Sequence, residues 1–223
     1  MASLTEYILS FFESLELNAR LPSGVQVLNP YKAQATKAVC SRFYGKYYSD
    51  TNPRIMIVGI NPGRLGGGLT GIPFTDPIRL EKECGIENSF DKKPELSSEF
   101  IYKMIGAFGG PQKFYHRFYF TSVCPLGFTK DGKNINYYDV PALQKAVLPF
   151  ILECIQRQLQ WNFKPDKIFC LGEGDNYKFL SRLNEEHNFF QEIIPLPHPR
   201  FIMQYKRKRV DEYVDAYLEK LMV

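Results

Sequence analysis

Ile55-Met56-Ile57-Val58-Gly59, preceded by the turn formers Ser49-Asp50-Thr51-Asn52-Pro53, decides the fold. A continuous apolar run of strand length, with no polar alternation, describes a strand covered on both faces, the habit of parallel sheets flanked by helices. Three further runs share this character: Phe118 to Val123, Lys167 to Leu171, and Glu192 to Leu196. Helical sequence separates each from the next. The expected fold class is therefore α/β, a three-layer α/β/α arrangement around a central, mainly parallel four-stranded sheet. Ligands of open α/β sheets bind beyond the carboxyl ends of the strands, so functional residues are expected in the segments that follow each run.

The flanking sequence fills in the helices. Leu4, Ile8, Phe11, Phe12 and Leu15 recur at helical spacing, and Ser3 with Glu6 can form a capping box. Leu21 to Pro30 reads as a loop, and Tyr31 to Tyr48 as a second helix. Leu143, Val147, Ile151, Ile155 and Leu159 share one face of a helix that Pro141 can start and Pro149 can kink. Asp175 is placed to cap a helix over Asn176 to Glu186, and Val210, Tyr213, Val214, Tyr217, Leu218 and Leu221 form the apolar stripe of a final helix. No repeat or linker interrupts the pattern, so residues 1–223 are expected to form one domain, with residues 1–50 as a helical segment packed on it.

Composition narrows the class. Hydrophobic residues are 44% and charged residues 23%, ordinary globular values that exclude disorder and fibrous repeats. The net charge of +4 permits a polyanionic partner without requiring one. Cysteines at 40, 84, 124, 154 and 170 contain no C-x-x-C pair, which removes the usual zinc and iron–sulfur spacings and suggests free thiols in a reducing cytosol. Neither a signal peptide nor a membrane-span-length apolar run is visible, so a cytoplasmic protein is expected, nucleoid-associated if bacterial.

The loop after the first strand, Gly59 to Phe74, carries Gly66, Gly68 and Gly71 in a formal G-x-G-x-x-G pattern. A dinucleotide fingerprint places its glycines directly after the strand and opens a helix with them. Here the glycines come late and Pro73 and Pro77 follow, so continuation into a helix is not expected. No Gly-Lys-Ser/Thr makes a P-loop. So many glycines are costly to order unless something approaches the backbone closely.

Gly59-Ile60-Asn61-Pro62-Gly63, continued by Thr70-Gly71-Ile72-Pro73-Phe74, resembles the first motif of the single-strand-selective monofunctional uracil-DNA glycosylases. Cys124-Pro125-Leu126 and Pro197-His198-Pro199-Arg200 resemble the second and third motifs, in the same order. Ser122 stands where the family has Asn, and the third motif is one residue shorter between its prolines. The chain thus resembles a divergent second branch of that family.

The resemblance implies removal of uracil from DNA by hydrolysis of the N-glycosidic bond, the first step of base excision repair, without metal or other cofactor. It assigns Asn61 to holding the attacking water, since orientation suffices when the sugar is already cationic. It assigns His198 to hydrogen bonding the uracil O2 as charge develops, a role worth about 3–4 kcal/mol for comparable donors. Phe74 would stack on the flipped base, with Gly59, Ile60, Pro62 and Gly63 along its edges and Ser122 at its Watson–Crick edge. A rotating hydroxyl specifies a pyrimidine less strictly than a planar amide, so xanthine and hypoxanthine become candidate substrates. Arg200, Phe201, Ile202 and Met203 are candidate duplex wedges, and Lys206 and Arg207, within the run Lys206 to Arg209, candidate phosphate contacts.

His116 and His187 have no such company and read as structural, and Cys124 reads as a buried small hydrophobe. DNA, single- or double-stranded and uracil-containing, is the expected partner of a monomer. The alternatives are a nucleotide- or dinucleotide-dependent enzyme using the glycine loop, and a non-catalytic nucleic-acid binding module.

Overall fold

The computed structural model describes residues 2–164 and 166–222. Numbered in chain order, the central sheet comprises β2 (Ile55–Gly59), β3 (Phe118–Ser122), β6 (Lys167–Leu171) and β7 (Glu192–Leu196). Their spatial order is β3-β2-β6-β7, and every pairing is parallel. The apolar run 55–59 lies in the middle of the sheet and is buried at every position, as its lack of alternation requires. The sheet is thus wholly parallel.

Alternation along β3 shows the layers. Phe118 and Phe120 meet Phe114 on one face, and Phe118 also meets Phe108. These rings belong to α5 (Leu96–Phe108) and α6 (Pro111–Arg117). Tyr119 meets Tyr48 and Trp161 on the other face, where the Thr121 hydroxyl donates to Gln158 Oε1 at 2.7 Å. That side is built by α1 (Leu4–Glu13), α2 (Gln34–Tyr47) and α7 (Pro141–Leu159). Ser3 and Glu6 form the expected capping box of α1. Pro149 sits inside α7 without ending it. The helix α10 (Val210–Met222) docks on α5 through Tyr217 and Phe100.

Three expectations need correction. Residues 21–30 are not all loop: β1 (Val25–Leu28) joins β4 (Gly127–Lys130) and β5 (Lys133–Ile135) in a second, antiparallel sheet. The turn between β4 and β5 is Asp131-Gly132, both with positive φ, the pairing favoured by tight hairpins. Asp175 does not cap α8 (Asp175–His187): Gly174 holds the cap position, and Asp175 instead puts its charge in the first turn, against the positive end of the helix dipole. Finally, the glycines do form one helical turn, α3 (Gly67–Thr70), stopped by left-handed Gly71. Pro77 then starts α4 (Pro77–Lys82) behind the cap Asp76, as proline can at a first helical position.

Among the described residues no helix is long and apolar enough to cross a membrane.

Candidate active site

The carboxyl ends of the strands open into a cleft of about 850 Å³. Ile60, Asn61, Pro62, Gly63, Phe74, Ser122 and His198 line it together, although they come from segments after three different strands. Gly59 lies behind this wall.

Asn61 follows β2 and is held by main chain at both ends of its amide. Its Oδ1 accepts from the Tyr137 N–H at 2.9 Å, and its Nδ2 donates to the Ile135 carbonyl at 3.2 Å. Reversing the amide would set donor against donor and acceptor against acceptor, so these contacts fix which atom is the oxygen. One lone pair and one N–H remain unused.

Phe74 has φ 54°, in the left-handed region, at a cost of about 1–3 kcal/mol for a non-glycine residue. Its ring lies against Gly59, where an added Cβ would come within 2.7 Å of Phe74 Cζ. Glycine at 59 therefore lets an aromatic ring rest on the strand backbone. The ring meets Phe120 at 5.3 Å and His198 at 6.3 Å between centroids, so it is half-buried on the cleft wall. Ser122, at the end of β3, is buried at 7% exposure, and its hydroxyl has no protein partner among the described residues.

His198 caps α9 (Pro199–Tyr205) through its ring: Nδ1 accepts from the Arg200 N–H at 3.1 Å. Burial, with a smaller contribution from the Arg200 charge, pushes its pKa down to about 4. The ring is neutral at pH 7, and because Nδ1 is an acceptor, the proton sits on Nε2. The segment is pinned from α10, where the Tyr217 hydroxyl donates to the Pro197 carbonyl and Lys220 Nζ donates to Pro195 O at 2.9 Å.

The glycine loop serves the protein's own packing. A Cβ on Gly68 would come 2.3 Å from Leu28 Cδ2 and 2.8 Å from the Gly63 carbonyl. Gly66 and Gly68 N–H both donate to that carbonyl, and Leu69 and Thr70 N–H donate to Gly66 O. The close approach anticipated from composition is thus made by β1 and the preceding turn. With these donors satisfied internally, the dinucleotide alternative loses its cradle.

The sequence profile of the Uracil DNA glycosylase superfamily matches residues 46–222, most of the chain and all of this cleft. The chain belongs to that superfamily. It is 29% identical over 174 residues to the rat single-strand selective monofunctional uracil-DNA glycosylase and 28% identical to its mouse counterpart. Each alignment takes in 66% of this chain and 61% of the relative, so the chain spans about three fifths of their length. The crystal structure of wild-type Pedobacter heparinus SMUG2 is 46% identical, with a TM-score of 0.97 over 100% of this chain and 98% of that one. The shared α/β fold includes the strands that carry the cleft.

The DNA-facing candidates separate in this superfamily member. Arg200 and Phe201 line the cleft mouth and are exposed, whereas Ile202 and Met203 are buried on the other side of α9. A wedge must reach solvent, so the latter two are corrected to core residues. Lys206 and Arg207 lie beyond the cleft wall, and Arg207 is committed to Glu99 at 2.7 Å. Arg209 likewise pairs with Glu212 at 2.7 Å. His116 is exposed, with its Nδ1 3.9 Å from Asp50, and His187 stacks on Phe189. Cys124 is fully buried and its thiol is pushed up to about 12, which removes it as a nucleophile. Among the described residues no group of three His, Cys, Asp or Glu could hold a metal ion.

Several cleft residues escaped the sequence reading. Tyr205, at 70% exposure, pairs its ring with Phe201 at 5.6 Å, and the two form an aromatic rim. Arg64, Glu95, Lys133, Asn134 and Tyr138 are among the other residues that line the cleft. The i, i+4 spacing of Phe201 and Tyr205 was the available signal for the ring pair. The Asp-Gly turn was the signal for the hairpin that brings Lys133 and Asn134 to the cleft.

Proposed function

We propose that this protein is a monofunctional DNA glycosylase that removes uracil from DNA and leaves an abasic site. The carrying observation is that a neutral His198 with its proton on Nε2 and an orientation-locked Asn61 amide open on one cleft beside the half-buried Phe74 ring. In the reaction the bond from C1′ to the base nitrogen breaks and its electron pair goes to the base. The sugar becomes cationic, and a water oxygen bonds to C1′ while its proton passes to solvent.

Each residue meets one part of that charge separation. The Nε2–H of His198 faces the growing negative charge on the base oxygen as a preorganised donor. Its low pKa suits this role, because the ring donates a hydrogen bond and keeps its proton. Asn61 uses its free Oδ1 lone pair to orient the water. Phe74 stacks on the extruded base, and the unpartnered Ser122 hydroxyl meets the base edge. Because that hydroxyl can donate or accept, xanthine and hypoxanthine fall within the proposed range.

Single-stranded DNA is the proposed preferred substrate, supported by the exposed Phe201–Tyr205 pair, on which unpaired bases can stack. The lysine at the cleft mouth, Lys133, is exposed on a hairpin strand and is assigned to phosphate contact. Borohydride should therefore trap no covalent adduct between protein and abasic DNA; a trapped adduct would point to lyase chemistry. The base range is tested by incubating oligonucleotides carrying uracil, xanthine or hypoxanthine with the protein and cleaving abasic sites with alkali. Release of uracil with at least one purine is expected; release of uracil alone would return Ser122 to a strict reader.

A further inference from the structure

Tyr137 and Asn176 lie outside all the motifs that carry the site, yet a closed chain of hydrogen bonds runs through them. Tyr137 follows β5 and is fully buried; its main-chain N–H grips Asn61 Oδ1 at 2.9 Å. Its hydroxyl donates to Asn176 Oδ1 at 3.0 Å. Asn176, buried at the start of α8, donates through Nδ2 to the Leu171 carbonyl at 3.1 Å and the Gly59 carbonyl at 3.4 Å. Gly59 ends β2, two residues before Asn61, so the circuit closes on the strand that presents the catalytic amide.

We propose that Tyr137 and Asn176 are positioning residues for Asn61, with the Tyr137 hydroxyl anchoring the 135–137 segment to the ends of β2 and β6 so that its main chain holds the Asn61 amide toward the attacking water. The proposal rests on the glycosylase reading of Asn61. The segment continues a three-residue edge strand, and the hydroxyl is what ties it by hydrogen bond to α8. The ring of Tyr137 packs on Tyr138 and Phe179 and would do so as phenylalanine, so the hydroxyl's contribution is separable from packing. Positioning of this kind acts on the chemical step, since displacement of a reacting group by about 1 Å can cost about a hundredfold in rate.

The test uses Tyr137→Phe, with Tyr48→Phe as a control that removes another buried hydroxyl, one donating to the Phe118 carbonyl at 3.0 Å away from the cleft. Single-turnover uracil release and DNA affinity are measured separately. Tyr137→Phe is expected to slow release about tenfold or more while affinity stays within about twofold, and Tyr48→Phe to change neither. In an Asn61→Ala background Tyr137→Phe should cost nothing further, because there is no amide left to hold; a purely structural role would lower both backgrounds alike. Amide hydrogen exchange supplies a readout free of activity: the residue 137 N–H should exchange about tenfold faster or more in Tyr137→Phe than in wild type. Unchanged release, an equal loss in the Asn61→Ala background, or unchanged exchange would overturn the proposal. If wild type released no base, the glycosylase reading would fall, and the exchange result would still decide whether Tyr137 holds the amide.

Discussion

The floor of the cleft and its rim are built on opposite plans. On the floor, Asn61 is gripped at both ends of its amide, His198 has its tautomer set by a main-chain N–H, and Phe74 is wedged against Gly59 in a strained conformation. On the rim, Phe201 and Tyr205 stand exposed on a seven-residue helix. On the proposed glycosylase reading, the difference separates two tasks. Stabilising charge during bond cleavage rewards groups that need no reorganisation, whereas engaging a variable nucleic-acid strand rewards sequence-tolerant stacking and charge.

Substitutions should therefore fall into two kinetic classes. His198→Ala has the largest expected effect, a loss of about 10²- to 10³-fold in single-turnover base release with DNA affinity nearly retained. Asn61→Ala should cost about 10²-fold in the same assay. Weakened DNA binding as the main effect of either would break the contrast. On the rim, Tyr205→Ala should weaken single-stranded binding by about 1–3 kcal/mol, with the chemical step unchanged at saturating protein. Fluorescence anisotropy on a labelled oligonucleotide measures it. The smallest effect is expected for Lys206→Ser, which should shift the slope of log affinity against log salt by about 0.7 if one phosphate contact on a single strand is lost.

The acid side of the pH profile sharpens the floor. His198 titrates near pH 4 in the folded protein, against an ordinary value of 6.5. Its donor state should persist well below pH 6.5, with no loss of release attributable to this ring until about pH 4. Between those values the unfolded chain binds the additional proton, so this residue's contribution to stability is full above pH 6.5 and declines as pH falls toward 4. Urea unfolding at a series of pH values should show a shallower decline over that window in His198→Gln than in wild type.

Much of this was legible in the sequence because the signals were local. Strand-length runs rich in apolar residues marked all four strands of the parallel sheet, and Ser3 with Glu6 marked the first cap. Asn61, Phe74, Ser122 and His198 could be grouped because the resemblance ties them to motifs that fall at the carboxyl ends of three strands, and all four line one cleft. What escaped depended on distance in the chain or on the direction of a side chain. Strand β1 pairs with a segment about a hundred residues away, and its short alternation offers little without that partner. The pairing of Tyr137 with Asn176 spans 39 residues and joins a loop to a helix. Ile202 and Met203 looked equivalent to Phe201 until helix α9 turned them inward. The cationic run overstated its free charge, because Arg207 and Arg209 are each engaged by a carboxylate.

The central claim is that the floor of the cleft performs hydrolytic base release. A single-stranded oligonucleotide with one uracil, incubated with excess wild-type or Asn61→Ala protein and sampled over time for free uracil, tests it most directly. The prediction is full release by wild type, and release by Asn61→Ala slowed about 10²-fold although it binds the same oligonucleotide. No release by wild type, or equal rates for the two proteins, would contradict it.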